Sequence, residues 1–301
     1  MLENPRGAPS VTQGALMVMA AGFCWGTSGT LQAFAPAGAT PMTIGAVRVV
    51  GTALILLCIT LARNPARFFS GRWRLFPVFL AGFGLTLYQL TFFAAARMAG
   101  AGVAAIIAIG SAPVMAGVMG RVFFGERLSR RWCAATGLAV FGGVLLVSGG
   151  NSATGQASPL GILLALTAGF AYSLEGVGIR MIGRDRESFD ATTAIFIASA
   201  ILGFPFLITP ESAWIFTWHG LFIIFLLAGI SSALAFALFT KGLLIVGVAK
   251  SYTLALTEPL TAWLLSTVIL GQKLAPIGLL GVTIIAAAIL FLARDLREGN
   301  A

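Results

Sequence analysis

Residues 124–128 read Phe-Gly-Glu-Arg-Leu, and residues 270–274 read Leu-Gly-Gln-Lys-Leu. The same offset of 146 aligns Phe93 with Phe239, Pro113 with Pro259, Ala116 with Ala262 and Val122 with Val268. At an offset of 147, Gly14 matches Gly161, Leu16 matches Leu163, and the run Ala21-Gly22-Phe23 matches Ala168-Gly169-Phe170. Single coincidences are common in apolar sequence. One register sustained over about 130 residues marks an internal duplication.

The duplicated unit is too apolar to be soluble. Of 301 residues, 58% are hydrophobic and 10% charged, where soluble domains carry about 25% charged residues. Disorder is excluded as well, because it requires low hydrophobicity. A mean hydropathy of +0.96 and 37 glycines indicate an all-α polytopic membrane protein. Apolar runs alternate with breakers to give ten expected spans: 13–34, 41–62, 74–96, 101–123, 132–149, 159–180, 191–209, 217–240, 246–270 and 276–293. The chain therefore divides into an N-terminal segment 1–13, a first five-helix repeat 14–149, a second repeat 159–293 and a tail 294–301. The first apolar run has no cleavage site behind it and reads as an uncleaved span. Cys24, Cys58 and Cys133 lack metal-ligand spacing and read as buried apolar residues.

The net charge of +9 is distributed as membrane topology, which argues against a nucleic-acid partner. With the N-terminus inside, fifteen Lys and Arg fall on inner loops and ends and two, Arg97 and Lys273, on outer loops; Arg48 and Lys250 lie within spans. Both termini are thus expected in the cytoplasm, and the membrane is the inner (plasma) membrane of a bacterial cell. Five spans per copy is an odd number, so the second copy is inverted. The charges agree. Arg121, Arg127, Arg130 and Arg131 surround the first turn, whereas Thr267, Lys273, Pro276 and Ile277 occupy the matching positions of the second. Inverted repeats meeting at the midplane are the common architecture of secondary transporters.

Charges inside spans are the sharpest functional signal, because each costs about 2.5–3.5 kcal/mol unless it has a partner or faces water. At ~1.5 Å per residue, Lys250 lies ~5 Å and Glu175 ~8 Å from the cytoplasmic end of their spans. Arg48 lies ~10 Å from the outer end, and Glu258 ~17 Å deep, near the midplane. Depth suggests pairing Glu175 with Lys250 and Arg48 with Glu258. Lys250, Thr253, Thr257, Glu258 and Thr261 share one face of the ninth span, expected to be a cavity wall; Tyr252 lies off it. Glu258 is the candidate for proton coupling.

Pro113 and Pro259 are the candidate hinges, each freeing a carbonyl four residues earlier, at Ile109 or Ala255. Trp25 and Tyr172 follow the two Ala-Gly-Phe runs at matching distance and should face one pseudo-symmetric space. With Tyr88 and Gln89 of the third span they are candidates for a substrate pocket suited to a flat side chain. Gly22 and Gly26 form a GxxxG, and Ala104, Ala108, Ala112, Ala116 and Gly120 a small-residue stripe for close helix packing.

The duplicated five-helix unit, with a proline in the fourth helix of each copy followed by the GERL and GQKL turns, resembles the EamA domains of the drug/metabolite transporter superfamily. The likeness extends over residues 14–293 and is greatest to bacterial YddG-type exporters of aromatic amino acids. It implies a ten-helix carrier without cofactor or metal. The glutamate typical of EamA domains falls at Glu126 in the first copy, while the second has Gln272. The sequence holds no HExxH, P-loop or GxSxG, so enzymatic chemistry is not expected and transport must run on a gradient. Substrate candidates are amino acids, aromatic and other neutral ones; the alternative is amphipathic drugs or quaternary amines. A receptor with a chromophore on Lys250 is a distant third reading.

Overall fold

A computed structural model describes residues 10–149, 158–273 and 275–298. Residues 1–9 of the N-terminal segment, Asn151, Leu274 and residues 299–301 of the tail lie outside the described residues. Among the described residues the regular secondary structure is entirely helical. Ten helices are long and apolar enough to cross a membrane: Val11–Ala33, Pro41–Arg63, Leu75–Ala99, Gly102–Phe124, Arg130–Ser148, Pro159–Ile182, Ser188–Leu207, Trp218–Val246, Val248–Leu270 and Pro276–Leu296. They are the first to tenth spans below.

Local sequence chemistry sets their ends. Ser10 and Thr40 each form a reciprocal capping box with the residue three positions on, and Ser129 and Ser158 cap the fifth and sixth spans. Proline occupies the first position of the second and sixth spans, where its missing N–H costs nothing. The glycines of the two repeated turns, Gly125 and Gly271, end the fourth and ninth spans in the left-handed conformation, at φ 67° and 66°. This backbone requirement explains why glycine recurs in both copies of the motif.

The helix contacts carry the duplication into three dimensions. The third span packs on the sixth as the eighth packs on the first. The fourth meets the sixth as the ninth meets the first, and the third meets the seventh as the eighth meets the second. The second–seventh, fourth–ninth and fifth–tenth pairs join equivalent helices of the two copies. Exchanging each span with its counterpart maps this contact set onto itself. With five crossings per copy, the two repeats are inverted. Tight helix crossings rest on the small residues: a Cβ on Gly22 would fall 2.7 Å from Thr257 Oγ1, and one on Gly26 would fall 2.7 Å from the Glu258 carbonyl. In the other copy Gly169, the counterpart of Gly22, packs against the carbonyl of Ala108 in the fully buried alanine stripe.

An even number of crossings puts both ends of the described chain on one face. That terminal face carries the ion pairs: Arg67 binds Asp190 through Nε and Nη2 (2.7 and 3.0 Å), Arg131 binds Asp295 (2.7 Å) and Arg74 binds Asp185 (3.3 Å). The opposite face is closed over the second span by Trp214, whose Nε1 donates to Thr43 Oγ1 (3.1 Å).

Three spans depart from the sequence expectation. The seventh leaves α geometry after Gly203 and finishes as a 3₁₀ turn, Phe204–Leu207, because Pro205 removes a helix donor. The eighth runs beyond Lys241 to Val246, since the exposed Lys241 reaches out from the helix rather than ending it. It also contains a π-helical segment, Gly229–Leu234. The ninth is broken in two, and that break organises the site.

Candidate functional site

The ninth span consists of the helices Val248–Leu254 and Thr257–Leu270, separated at Ala255 and Leu256. Pro259 supplies no N–H, and the preceding backbone tightens. Leu256 N–H donates to Thr253 O (3.2 Å) and Glu258 N–H to Ala255 O (2.9 Å). The Ala255 carbonyl, expected to be bare, is therefore occupied by the Glu258 amide. The matching Pro113 lies within a helix continuous from Ala101 to Phe124, so the two prolines are not equivalent in this conformation. Broken helices at mid-membrane depth occur where the backbone lines a cavity or binds a ligand.

The break places Glu258 in the first turn of the helix Thr257–Leu270, where the exposed amides of a helix N-terminus favour a carboxylate. Glu258 and Pro259 line a cavity of about 440 Å3 between the first, fourth, fifth and ninth spans. Its walls are mainly apolar, including Ile109, Leu146 and Trp263, with Thr30, Ser266 and Gln272 adding polar atoms. Glu258 is the one charged side chain among the described residues that line it. The volume falls in the range of about 300–1,000 Å3 typical of small-molecule sites.

The cavity extends toward the face opposite the termini, where Gln272 borders it. At the terminal face the equivalent turn is docked. Glu126 Oε1 accepts from Val248 N (2.7 Å) and Oε2 from Ala249 N (2.9 Å), so the carboxylate caps the first half of the ninth span. Trp132 Nε1 donates to Ala249 O (3.2 Å), and the Thr136 and Thr253 hydroxyls bond at 2.9 Å. One end of the path is latched while the symmetry-related end is open.

The aromatic candidates converge beside the cavity rather than lining it. Trp25 and Tyr172 are 6.3 Å apart edge to face, and Tyr88 lies 5.2 Å from Tyr172. Phe236 and Phe239 each lie 4.9 Å from Trp25. Tyr252, set aside by helical-arc reasoning, completes the group: its ring is 4.6 Å from Tyr172 and its hydroxyl donates to the Tyr172 carbonyl. All three tyrosines of the chain thus belong to one cluster. Gly176 admits the Tyr252 ring, since a Cβ there would lie 2.6 Å from it. The Trp25 Nε1 is buried with no hydrogen-bond partner among the described residues.

Other candidates separate. Gln89 points away from Tyr88 into a crevice of about 20 Å3 with Gly45, Thr86 and Ser199, room for about one water. Glu175 is fully buried, and both its carboxylate oxygens lack a hydrogen-bond partner among the described residues. The Glu175–Lys250 pair suggested by depth therefore does not form; depth fixes height along a span and leaves azimuth free. Lys250 sits in the latched half of the ninth span, outside the cavity lining. Thr257 donates to Leu254 O (2.5 Å) across the break and packs against Gly22, while Thr261 packs against Gly26. The polar arc of the ninth span is therefore mostly spent on helix contacts, and Glu258 is its one contribution to the cavity wall.

Arg48 is paired by depth with Glu258, but among the described residues the two form no ion pair. Arg48 Nη1 donates to Ser28 Oγ (3.4 Å), and Ser28 is hydrogen-bonded to Ser231 of the π segment.

This constellation, a broken helix and a central carboxylate between inverted repeats, is that of a membrane carrier. The EamA-like transporter family matches the chain twice, over residues 12–148 and 159–294, and the chain belongs to that family. A relative in Bacillus subtilis (strain 168), named "Uncharacterized transporter YwfM", is 35% identical over 284 residues, covering 94% of each chain. A solved structure titled "Crystal structure of protein" superposes with a TM-score of 0.80 at 20% identity, over 96% of this chain and 99% of that one; it shares the fold.

Proposed function

We propose that this membrane transporter is a secondary carrier that exports small organic metabolites, namely amino acids, aromatic and other neutral ones, by alternating access. The observation that carries this reading is the cavity holding Glu258 at the break of the ninth span, open on one side and latched by Glu126 on the other. A central site reachable from one face at a time is what a carrier needs. The charge bias of the loops supports a latched face in the cytoplasm and an open face outside, with both termini inside and the inner membrane as the location. Exchanging the docked and open turns between copies would reverse access, because the repeats are related by symmetry. Glu258 offers the substrate a carboxylate for its ammonium, and the apolar walls accommodate its side chain.

Proton coupling is assigned to Glu258, which can take up a proton when substrate leaves. A second reading, export of amphipathic drugs or quaternary amines, is favoured by one observation: among the described residues the cavity lining contains a carboxylate and no cation. Uptake into proteoliposomes across a panel of amino acids and cationic amphiphiles, with and without a pH gradient, separates the two. Transport of neutral amino acids supports the reading; transport restricted to cationic amphiphiles replaces it with the second.

A further inference from the structure

Two irregular helices and two intramembrane charges meet at one place. The π segment of the eighth span presents Ser231 to Ser28 of the first span. Ser28 also accepts the hydrogen bond of Arg48 from the second span, at a long 3.4 Å. The next residues, Gly29 and Thr30, line the cavity together with Glu258. One turn earlier, Gly26 lies against the Glu258 backbone, where a Cβ would be 2.7 Å from its carbonyl oxygen. A short stretch of the first span therefore connects the positive group to the negative one. π segments in helices are often found at functional sites.

Among the described residues no ion pair joins the two charges. Among the described residues, Arg67, Arg74 and Arg131 on the terminal face all have carboxylate partners, whereas Arg48, within a span, has a serine. An arginine inside a membrane with a single long hydrogen bond leaves most of its five donors unused. A carboxylate is the group that matches a guanidinium fork.

We propose that Arg48 and Glu258 are the two poles of a zwitterion site, with Arg48 holding a substrate carboxylate and Glu258 the adjacent ammonium. The assignment rests on the amino-acid reading above and adds the group that distinguishes an amino acid from its amine. A substrate carrying both charges satisfies both poles at once. An amine satisfies Glu258 alone and leaves Arg48 without a carboxylate, and a carboxylic acid does the reverse.

The test measures the affinities of phenylalanine, phenethylamine and 3-phenylpropanoate for the purified full chain in nanodiscs, from ligand-induced thermal stabilisation. Wild type should bind phenylalanine at least about tenfold more tightly than either analogue, the scale of about one lost charge-assisted hydrogen bond. Arg48→Gln should weaken phenylalanine to within about threefold of phenethylamine while leaving the amine affinity in place. Equal binding of phenylalanine and phenethylamine by wild type overturns the role of Arg48 without any variant having to fold. Equal loss of both ligands in a folded Arg48→Gln protein overturns it too. If phenethylamine binds and phenylalanine does not, the amino-acid reading itself fails, a result distinct from equal binding.

Discussion

Replacing Glu126 by glutamine should unlatch the terminal face. The carboxylate accepts two backbone N–H groups, from Val248 at 2.7 Å and Ala249 at 2.9 Å. Hydrogen bonds to a charged group contribute roughly 1.5–3 kcal/mol each, and the lower end applies to a partly exposed side chain, giving about 3 kcal/mol for the two. Glutamine retains one acceptor oxygen and no charge, so it can keep one neutral bond of about 1 kcal/mol. The difference of about 2 kcal/mol acts on the latched state alone and shifts the balance between states about 30-fold toward opening of that face. A cysteine at Lys250, inside the latched half of the ninth span, reports the change. In a cysteine-free background, its labelling by a membrane-impermeant maleimide from the terminal side should accelerate by a comparable factor in Glu126→Gln. The reasoning is refuted if labelling is unchanged in protein of normal melting temperature, because the two bonds would then not hold the latch.

Gly26→Leu should abolish transport while the protein still inserts, because a Cβ there would already lie 2.5 Å from Thr261 Cβ and 2.7 Å from the Glu258 carbonyl; retained transport would show that the first and ninth spans can separate at no cost. Tyr252→Phe removes the hydroxyl that donates to the Tyr172 carbonyl and should lower stability by about 1 kcal/mol with the ring packing intact, measured by thermal unfolding in detergent. Alanine at Trp25 or Tyr172 should weaken transport through loss of the edge-to-face pair; a fall in folded protein with normal transport per molecule would assign the pair to packing alone. Glu258→Gln should remove any dependence of transport on a pH gradient and raise the substrate concentration needed for half-maximal exchange, because the ammonium loses its carboxylate, as proteoliposome assays at matched and unmatched pH would record. Cysteines at Arg67, Arg130 and Arg184 should label from the cytoplasm, and those at Asn151 and His219 from outside.

Much of this architecture was legible because membrane insertion constrains sequence heavily. Span number follows from apolar length, and inversion from the odd count and the arginine asymmetry between the FGERL and LGQKL turns. Glycine's role in those turns is equally local: Gly125 and Gly271 both adopt positive φ. The cavity was less legible. Pro113 and Pro259 are matched in sequence, yet one lies in a continuous helix and the other beside a break; the distinction belongs to the conformational state, which composition does not encode. Depth arithmetic paired Arg48 with Glu258 and Glu175 with Lys250, and neither ion pair forms among the described residues, since depth omits rotation about the helix axis. The π segment of the eighth span has no sequence mark beyond Gly229 and two serines. Tyr252 was missed because only the polar arc was read as functional, whereas Tyr252, in the same short helix as Lys250, packs from outside that arc against Tyr172.

Alternating access is the central claim, and counterflow tests it most directly. Proteoliposomes loaded with unlabelled phenylalanine and diluted into trace labelled phenylalanine should accumulate label transiently above equilibrium, because the unlabelled pool inside competes with entered label for the shared site and delays its exit. Glu258→Ala proteoliposomes should lose that overshoot. Equilibration of label without an overshoot would contradict a carrier and indicate a pore, and no movement of any panel substrate would contradict transport of amino acids through this site.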